Sequence, residues 1–229
     1  MALEARDITF GYPGAAPLYR GLSLAVEAGE RVALRAPSGA GKTTLCRLLA
    51  GYLAPQEGSV SVDDASMTGR DRRAGTGGAD RAGAGAARAV QLIWQHPEQA
   101  FDPRMRMGRS LAEGAADLPR AAALERARGE GLIEAFGIRD EWLSRLPHEL
   151  SGGELMRFCI VRALLAHPAY LICDEMSAML DALTQAQVWR AVLEIAGERG
   201  MGLMVVSHDP ALVAQVATRE VVLPRSPRA

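Results

Sequence analysis

Residues 35–45 read RAPSGAGKTTL, and this stretch decides the fold. Gly41, Lys42 and Thr43 close the phosphate-binding pattern G-x-x-x-x-G-K-[ST], while Ala36 stands where that pattern opens on glycine. Arg31–Arg35 upstream is a candidate strand. Downstream, Leu45, Leu48, Leu49 and Tyr52 recur at i, i+3, i+4 and i+7, one face of a helix that Gly51 and Pro55 end. Strand, glycine-rich loop and helix is the context that gives the motif meaning. The loop Ser38, Gly39, Ala40, Gly41, Lys42, Thr43 and Thr44 is therefore the candidate nucleotide cradle. Backbone N–H groups from Gly39 to Thr44 wrap a β-phosphate, and the helix beyond adds its positive end. Lys42 is placed to reach the β- and γ-oxygens, and the Thr43 hydroxyl to ligate Mg²⁺.

Working outward, the same alternation of strands and helices recurs. Leu22 to Val26 reads as a strand, as does Val90 to Trp94. Residues 104–146 are mainly helical, with breaks predicted at Gly108, Pro119, Gly137 and Pro147. A helix is predicted from Gly153 to Ala166, stopped by Pro168. The run AYLICDE (169–175) is a buried strand ending in acids. The helix after Asp181 carries Leu183, Val188, Val192 and Ile195 on its apolar side, and MGLMVVSHD (201–209) is another buried strand. This order means an α/β fold with a mostly parallel sheet and its site at the strands' carboxyl ends. Residues 66–89 are low in complexity and read as a mobile Gly/Ala/Arg-rich surface loop. The terminal residues 226–229 read as frayed.

Bulk composition narrows the function. The chain has 229 residues and a formal net charge of −1, so no global field attracts nucleic acid. No apolar run reaches the length of a membrane span, and the N-terminus lacks an apolar h-region, so a cytoplasmic chain is expected. Lys42 is the one lysine among 26 basic residues, which singles out the position where a compact ammonium is needed. Cys46, Cys159 and Cys173 have no metal-ligand spacing and read as buried thiols.

Further positions gain meaning beside the loop. Asp174 and Glu175 end an apolar strand. Asp174 suits a role on Mg²⁺, and Glu175 suits polarising an attacking water. Taken alone, His208 reads as an ordinary strand-end histidine, Gln95 as a solvated polar residue and Tyr12 as a turn aromatic. The stretch LSGGE (150–154) places Ser151, Gly152 and Gly153 at a helix start. Serine is a natural N-cap, but two glycines there cost helix stability and suit a close approach of an anion to the backbone. One nucleotide needs one such helix end. Two phosphate-facing ends in one chain imply a second chain, each supplying its serine–glycine end to the other's nucleotide.

With Tyr12, the loop 36–44, Gln95, the signature 150–154, Asp174–Glu175, Asp181 and His208 in that order, the chain resembles the ATP-binding subunit of an ABC transporter. The resemblance runs from about Leu3 to Leu223. It implies a P-loop NTPase core of the RecA-like type, an antiparallel β subdomain and an inserted helical signature subdomain at about 96–165, all within one ATP-binding domain over 1–225. It implies ATP and Mg²⁺ as ligands, with Thr43, Gln95 and Asp174 toward the metal and Tyr12 stacking on adenine. It implies that Ser151, Gly152 and Gly153 contact the γ-phosphate across a dimer, that Asp181 couples the two sites, and that Gln95, Glu175 and His208 serve hydrolysis.

The stretches WQHPEQAFDPRMRMGRSLAE (94–113) and SAMLDALTQAQVW (177–189) are similar to the dipeptide, oligopeptide and nickel importer subgroup. The implied partners are a second ATPase subunit, identical or related, integral membrane permease subunits and an extracytoplasmic substrate-binding protein, with the chain peripheral on the inner face of the cell membrane. Nucleic acid is not an expected partner. A soluble ABC-type ATPase acting on nucleic acid or ribosomes is the alternative, but it usually carries two cassettes or a coiled-coil insertion. A cassette that only scaffolds a partner is opposed by the intact Glu175, His208 and Ser151. The sequence departs from the family at Ala36 and at Met176, where proline is frequent. It also stops soon after its last strand, where many peptide-importer ATPases continue into an extension.

Overall fold

Alternating side chains build the first sheet. Along β1 (Ala2–Phe10), Leu3, Ala5, Ile8 and Phe10 are buried, and they pack with Leu24 and Val26 of β2 (Tyr19–Glu27) and Val60 and Val62 of β4 (Glu57–Val62). β1 pairs antiparallel with both strands, and the short β5 (Ala65–Ser66) completes the order β2-β1-β4-β5. The β1–β2 register slips between Ala5 and Ile8, where Asp7 takes a left-handed φ of 48° and its N–H donates to Ser23 Oγ at 2.9 Å. That is the signature of a β-bulge.

A second sheet has the order β6-β7-β8-β3-β9, made of β3 (Arg31–Arg35), β6 (Val90–Ile93), β7 (Tyr170–Asp174), β8 (Gly202–Val206) and β9 (Arg219–Val222). β3 runs parallel to both β8 and β9, and β7 parallel to β8. Every residue of β7 and β8 is buried, as expected for strands covered on both faces. Parallel pairing places the carboxyl ends of β3, β7 and β8 on one edge. That edge carries the phosphate loop, Asp174 and His208. The helix α1 (Lys42–Leu49) follows the loop and buries Leu45, Leu48 and Leu49; it stops before Tyr52, because Gly51 takes a φ of 71°.

The computed structural model describes residues 1–37, 39–67 and 89–223. Most of the predicted loop at 66–89 and the tail at 226–229 lie outside the described residues, as does Ser38. The described residues divide into two compact units. The first comprises those within Met1–Leu92, Ala169–Asp174 and Arg199–Ala229, and the second Ile93–Pro168 and Glu175–Glu198.

The second unit is helical: α2 (Met107–Ala112), α3 (Arg120–Gly129), α4 (Leu132–Ala135), α5 (Gly152–Leu165) and nearly all of α6 (Ala182–Arg199). Its core gathers Met107, Leu111, Leu132, Phe158, Ile160 and Leu164. Gly108 does not break a helix as predicted. It lies inside α2, where a Cβ would come 3.0 Å from the Leu143 carbonyl oxygen, so the glycine permits close packing. The apolar face of α6 also differs from the prediction. Val188, Trp189, Val192 and Ala196 are buried, but Leu183 is 71% exposed because it sits in the first turn, before the helix meets its neighbours. A short helix, α7 (Pro210–Val216), follows β8 in the first unit, capped by Asp209.

Candidate functional site

In the first unit the loop after β3 is built for backbone exposure. Gly39 and Gly41 have φ of 77° and 92°, which side chains rarely adopt. A Cβ at Gly41 would also collide with the Tyr19 hydroxyl, which donates to the Gly41 carbonyl at 2.5 Å. Burial pushes the Tyr19 phenol well above its ordinary range, so it stays a donor. Tyr19 is a support the sequence did not reveal, because nothing local marks a tyrosine at the start of β2 as facing position 41.

Ala40 is buried, and its N–H donates to the Pro37 carbonyl at 3.1 Å. Ala36 keeps a negative φ, so alanine fits where the pattern has glycine. Its carbonyl accepts from Lys42 Nζ at 3.2 Å, and the same ammonium lies 3.4 Å from His208 Nε2. Lys42 is only 9% exposed, and a hollow of about 160 Å³ opens over it, lined by Arg35, Ala36, Ser207 and His208. The site thus brings Lys42 and His208 together across 166 residues of sequence.

Thr43 is half-buried and Thr44 buried; Thr44 Oγ1 is 3.2 Å from the hydroxyl of Tyr12. Tyr12 packs edge-on against Phe10 at 5.2 Å, and the residue is 41% exposed. An accessible aromatic residue beside the loop is what base stacking requires. Asp174 ends β7 with 3% exposure. Burial, and next the Asp174 carboxylate, push the Cys46 and Cys173 thiols far up, so both stay protonated and inert.

The donor set fits Mg²⁺. Thr43 and Asp174 are hard oxygen donors of this unit. Mg²⁺ takes one or two such protein oxygens, its shell completed by phosphate oxygens and water.

In the second unit, Gln95 Nε2 donates to Glu175 Oε2 at 2.9 Å. The carboxylate expected to act on water and the glutamine expected to serve hydrolysis are therefore in direct contact. Glu175 follows Asp174 in the chain and takes a left-handed φ of 52°. A non-glycine residue in that region carries strain of order 1–3 kcal/mol. The turn after it is pinned by Ser177, whose Oγ accepts from Trp189 Nε1 and Gln185 Nε2, each at 3.1 Å. Met176 is 1% exposed, so the departure from proline supplies a core side chain. Ser177 is the second support that no sequence pattern announced.

The signature starts α5. Ser151 Oγ accepts from the Glu154 N–H at 3.3 Å, and Glu154 Oε2 accepts from the Ser151 N–H at 2.7 Å, a reciprocal capping box. A Cβ at Gly152 would stand 3.1 Å from Met179 Sδ, and one at Gly153 3.2 Å from Leu180 Cδ2. The side-chain ends of Met179 and Leu180 thus lie close against the two glycines. A hollow of about 380 Å³ gathers Ser151, Gly152, Gly153, Arg157, Asp181 and Thr184. Asp181 Oδ1 accepts from the Thr184 N–H at 3.0 Å, and hydrogen bonds from Thr184 hold its carboxyl below the usual range. The signature and Asp181, 30 residues apart in sequence, share one surface.

The chain is similar to known proteins in sequence and in fold. The family model for ABC transporters matches residues 19–178. The nickel import ATP-binding protein of Pseudomonas putida is 38% identical over 209 residues, which cover 89% of this chain and 72% of that protein. A putative peptide import ATP-binding protein of Brucella abortus is 34% identical over 203 residues, 88% of this chain and 59% of that protein. The chain thus spans less than two thirds of the Brucella relative. In three dimensions, a dimeric ATP-binding cassette bound to ADP and Pi superposes with a TM-score of 0.81 at 21% identity, covering 99% of this chain and 95% of that one, which establishes the fold.

Proposed function

From the premise that the chain belongs to the ABC transporter family, as an ATP-binding and ATP-hydrolysing subunit, we propose that it powers an importer of peptides or of nickel or another chelated metal. The observation that carries the reading is the hydrogen bond of Gln95 to Glu175, next in the chain to a buried Asp174. Glycine-rich turns are common; that pairing of a glutamine with a strand-end carboxylate is not part of ordinary strand termination.

The residues divide the work. The loop N–H groups and the start of α1 hold the phosphates of ATP, and Tyr12 offers its ring to the adenine. Lys42 exchanges the Ala36 carbonyl and His208 for phosphate oxygens. Thr43, Asp174 and Gln95 would hold Mg²⁺, which supplies charge neutralisation at the phosphates. Glu175 polarises the attacking water and Gln95 orients that carboxylate, while His208 holds the γ-phosphate. Ser151 and the N–H groups of Gly152 and Gly153 face the nucleotide of a second ATPase subunit, identical or related, and Asp181 joins the two sites.

Among the described residues no helix is long and apolar enough to cross a membrane. Cargo passes through separate permease subunits, a reading supported by the similarity to import ATP-binding proteins. An extracytoplasmic binding protein delivers the cargo, and the chain works at the cytoplasmic face. The similarity of 94–113 to peptide and nickel importers, together with the two relatives named above, supports the cargo class.

Glu175→Gln tests the chemistry. ATP hydrolysis falls by roughly 10²–10⁴-fold, the range of general-base losses, while ATP now holds a stable dimer in size-exclusion chromatography. Hydrolysis at the wild-type rate would remove Glu175 from its role. Uptake assays in a deletion strain, supplied in turn with labelled nickel and with peptides, decide the cargo.

A further inference from the structure

The second unit contains a concentration of positive charge that the reaction does not use. A hollow of about 470 Å³ is lined by Asp102, Arg104, Met105, Arg106, Arg109 and Arg120. All four arginines are exposed. Other arginines of this unit find carboxylates, Arg126 with Glu130, Arg128 with Asp140, Arg145 with Glu141 and Arg162 with Glu113, while Arg157 donates to the Phe136 and Gly137 carbonyls. Among the described residues the four arginines of the hollow make no ion pair. Arg106 donates to the Ser144 carbonyl. The lone acid, Asp102, is engaged locally, its Oδ1 accepting from the Arg104 N–H at 2.9 Å.

Four guanidinium groups against one carboxylate repel one another, in a chain whose formal net charge is −1. Such an arrangement is stabilised by an anion. Arg120 Nη2 lies 3.5 Å from where a Cβ would stand at Gly108, which sets this guanidinium over α2.

We propose that this hollow binds a phosphate-bearing group, through the side chains of Arg104, Arg106, Arg109 and Arg120. The guanidinium fork matches phosphate oxygens in pairs, and several forks converging on a small concavity suit a compact, multiply charged oxyanion. An acidic protein surface is a poorer match. A stable protein contact needs about 800 Å² from each partner, and six residues around one hollow provide far less. A phospholipid headgroup and a soluble phosphate compound share the required chemistry.

The test uses the full chain in a Lys42→Ala background, so that the nucleotide loop does not contribute. Inorganic pyrophosphate is titrated by calorimetry, and vesicles of phosphatidylglycerol are compared with vesicles of phosphatidylcholine by flotation. The expected result is saturable binding of pyrophosphate, of the anionic vesicles, or of both, weakened at least tenfold by Arg109→Gln with Arg120→Gln. Binding of vesicles alone identifies a headgroup as the source, and binding of pyrophosphate alone a soluble compound. The Arg109→Lys with Arg120→Lys pair keeps the charge and loses the fork; it is expected to bind with intermediate strength, and it serves as the comparison if the glutamine pair folds poorly. The proposal is overturned if neither probe binds, if both substituted pairs bind as the parent does, or if a polyglutamate peptide binds while neither phosphate probe does.

Discussion

At the scale of single residues, Ala36 shows how a motif tolerates a departure. The glycine of the pattern is dispensable here because φ at position 36 is negative, and because Pro37 already favours an extended residue before it. The working atom is the carbonyl that accepts from Lys42. Ala36→Gly keeps that carbonyl and adds freedom to the unfolded chain, at a cost of roughly 0.5–1 kcal/mol. ATP affinity is therefore expected to change less than threefold in a nucleotide titration, while the melting midpoint drops slightly. A large gain in affinity would mean that the native loop is impaired. Glu175 is the contrasting case, a residue whose conformation is unfavourable and is retained. The sequence marks Glu175 as a candidate because it ends an apolar strand, but its left-handed φ and its bond to Gln95 appear only in three dimensions.

At the scale of elements, β8 shows how tightly the first unit is packed. Gly202 opens the strand beneath the ring of Tyr170. A Cβ there would lie 2.6 Å from Tyr170 Cδ1 and 2.8 Å from the backbone oxygen of Glu27. Burial pushes the Tyr170 phenol up to about 12. The ring has nowhere to retreat, since Tyr170 is 1% exposed. Gly202→Ala is expected to cost about 1–3 kcal/mol through overpacking, read as a fall in the melting midpoint by calorimetry; an unchanged midpoint would show that β7 and β8 shift freely. The helix α5 teaches a related lesson. Its serine, glycines and glutamate are legible as a capped start, because capping is local. That Met179 and Leu180 bring their side-chain ends close to the two glycines is something no local pattern reveals.

At the scale of the whole molecule, distant segments close the first unit. Arg219 of β9 donates to Glu30 through Nε at 2.6 Å and Nη2 at 3.1 Å, and the Arg31 N–H donates to Thr218 Oγ1 at 3.1 Å. The Arg219 hydrogen bond holds the Glu30 carboxyl below its ordinary value of 4.5. A depressed carboxyl stabilises the fold above its unfolded value and loses that contribution as pH falls through the folded one. Glu30→Gln is therefore expected to be less stable than wild type near neutral pH, by under about 1 kcal/mol for so exposed a pair. The gap should close below about pH 4 in denaturant titrations, reflecting that linkage; a gap that persists at low pH would assign the effect to packing. The sequence by itself determined the phosphate loop, its strand–helix setting, the signature start and the catalytic candidates. Each of these depends on local φ, on helix period or on backbone groups within a few residues. Only the tertiary structure decided that β3 lies between β8 and β9, that Leu3 faces Val62, and that Lys42 meets His208. Those contacts pair residues far apart in the chain, and their energy comes from burial and hydrogen bonding that no short stretch contains.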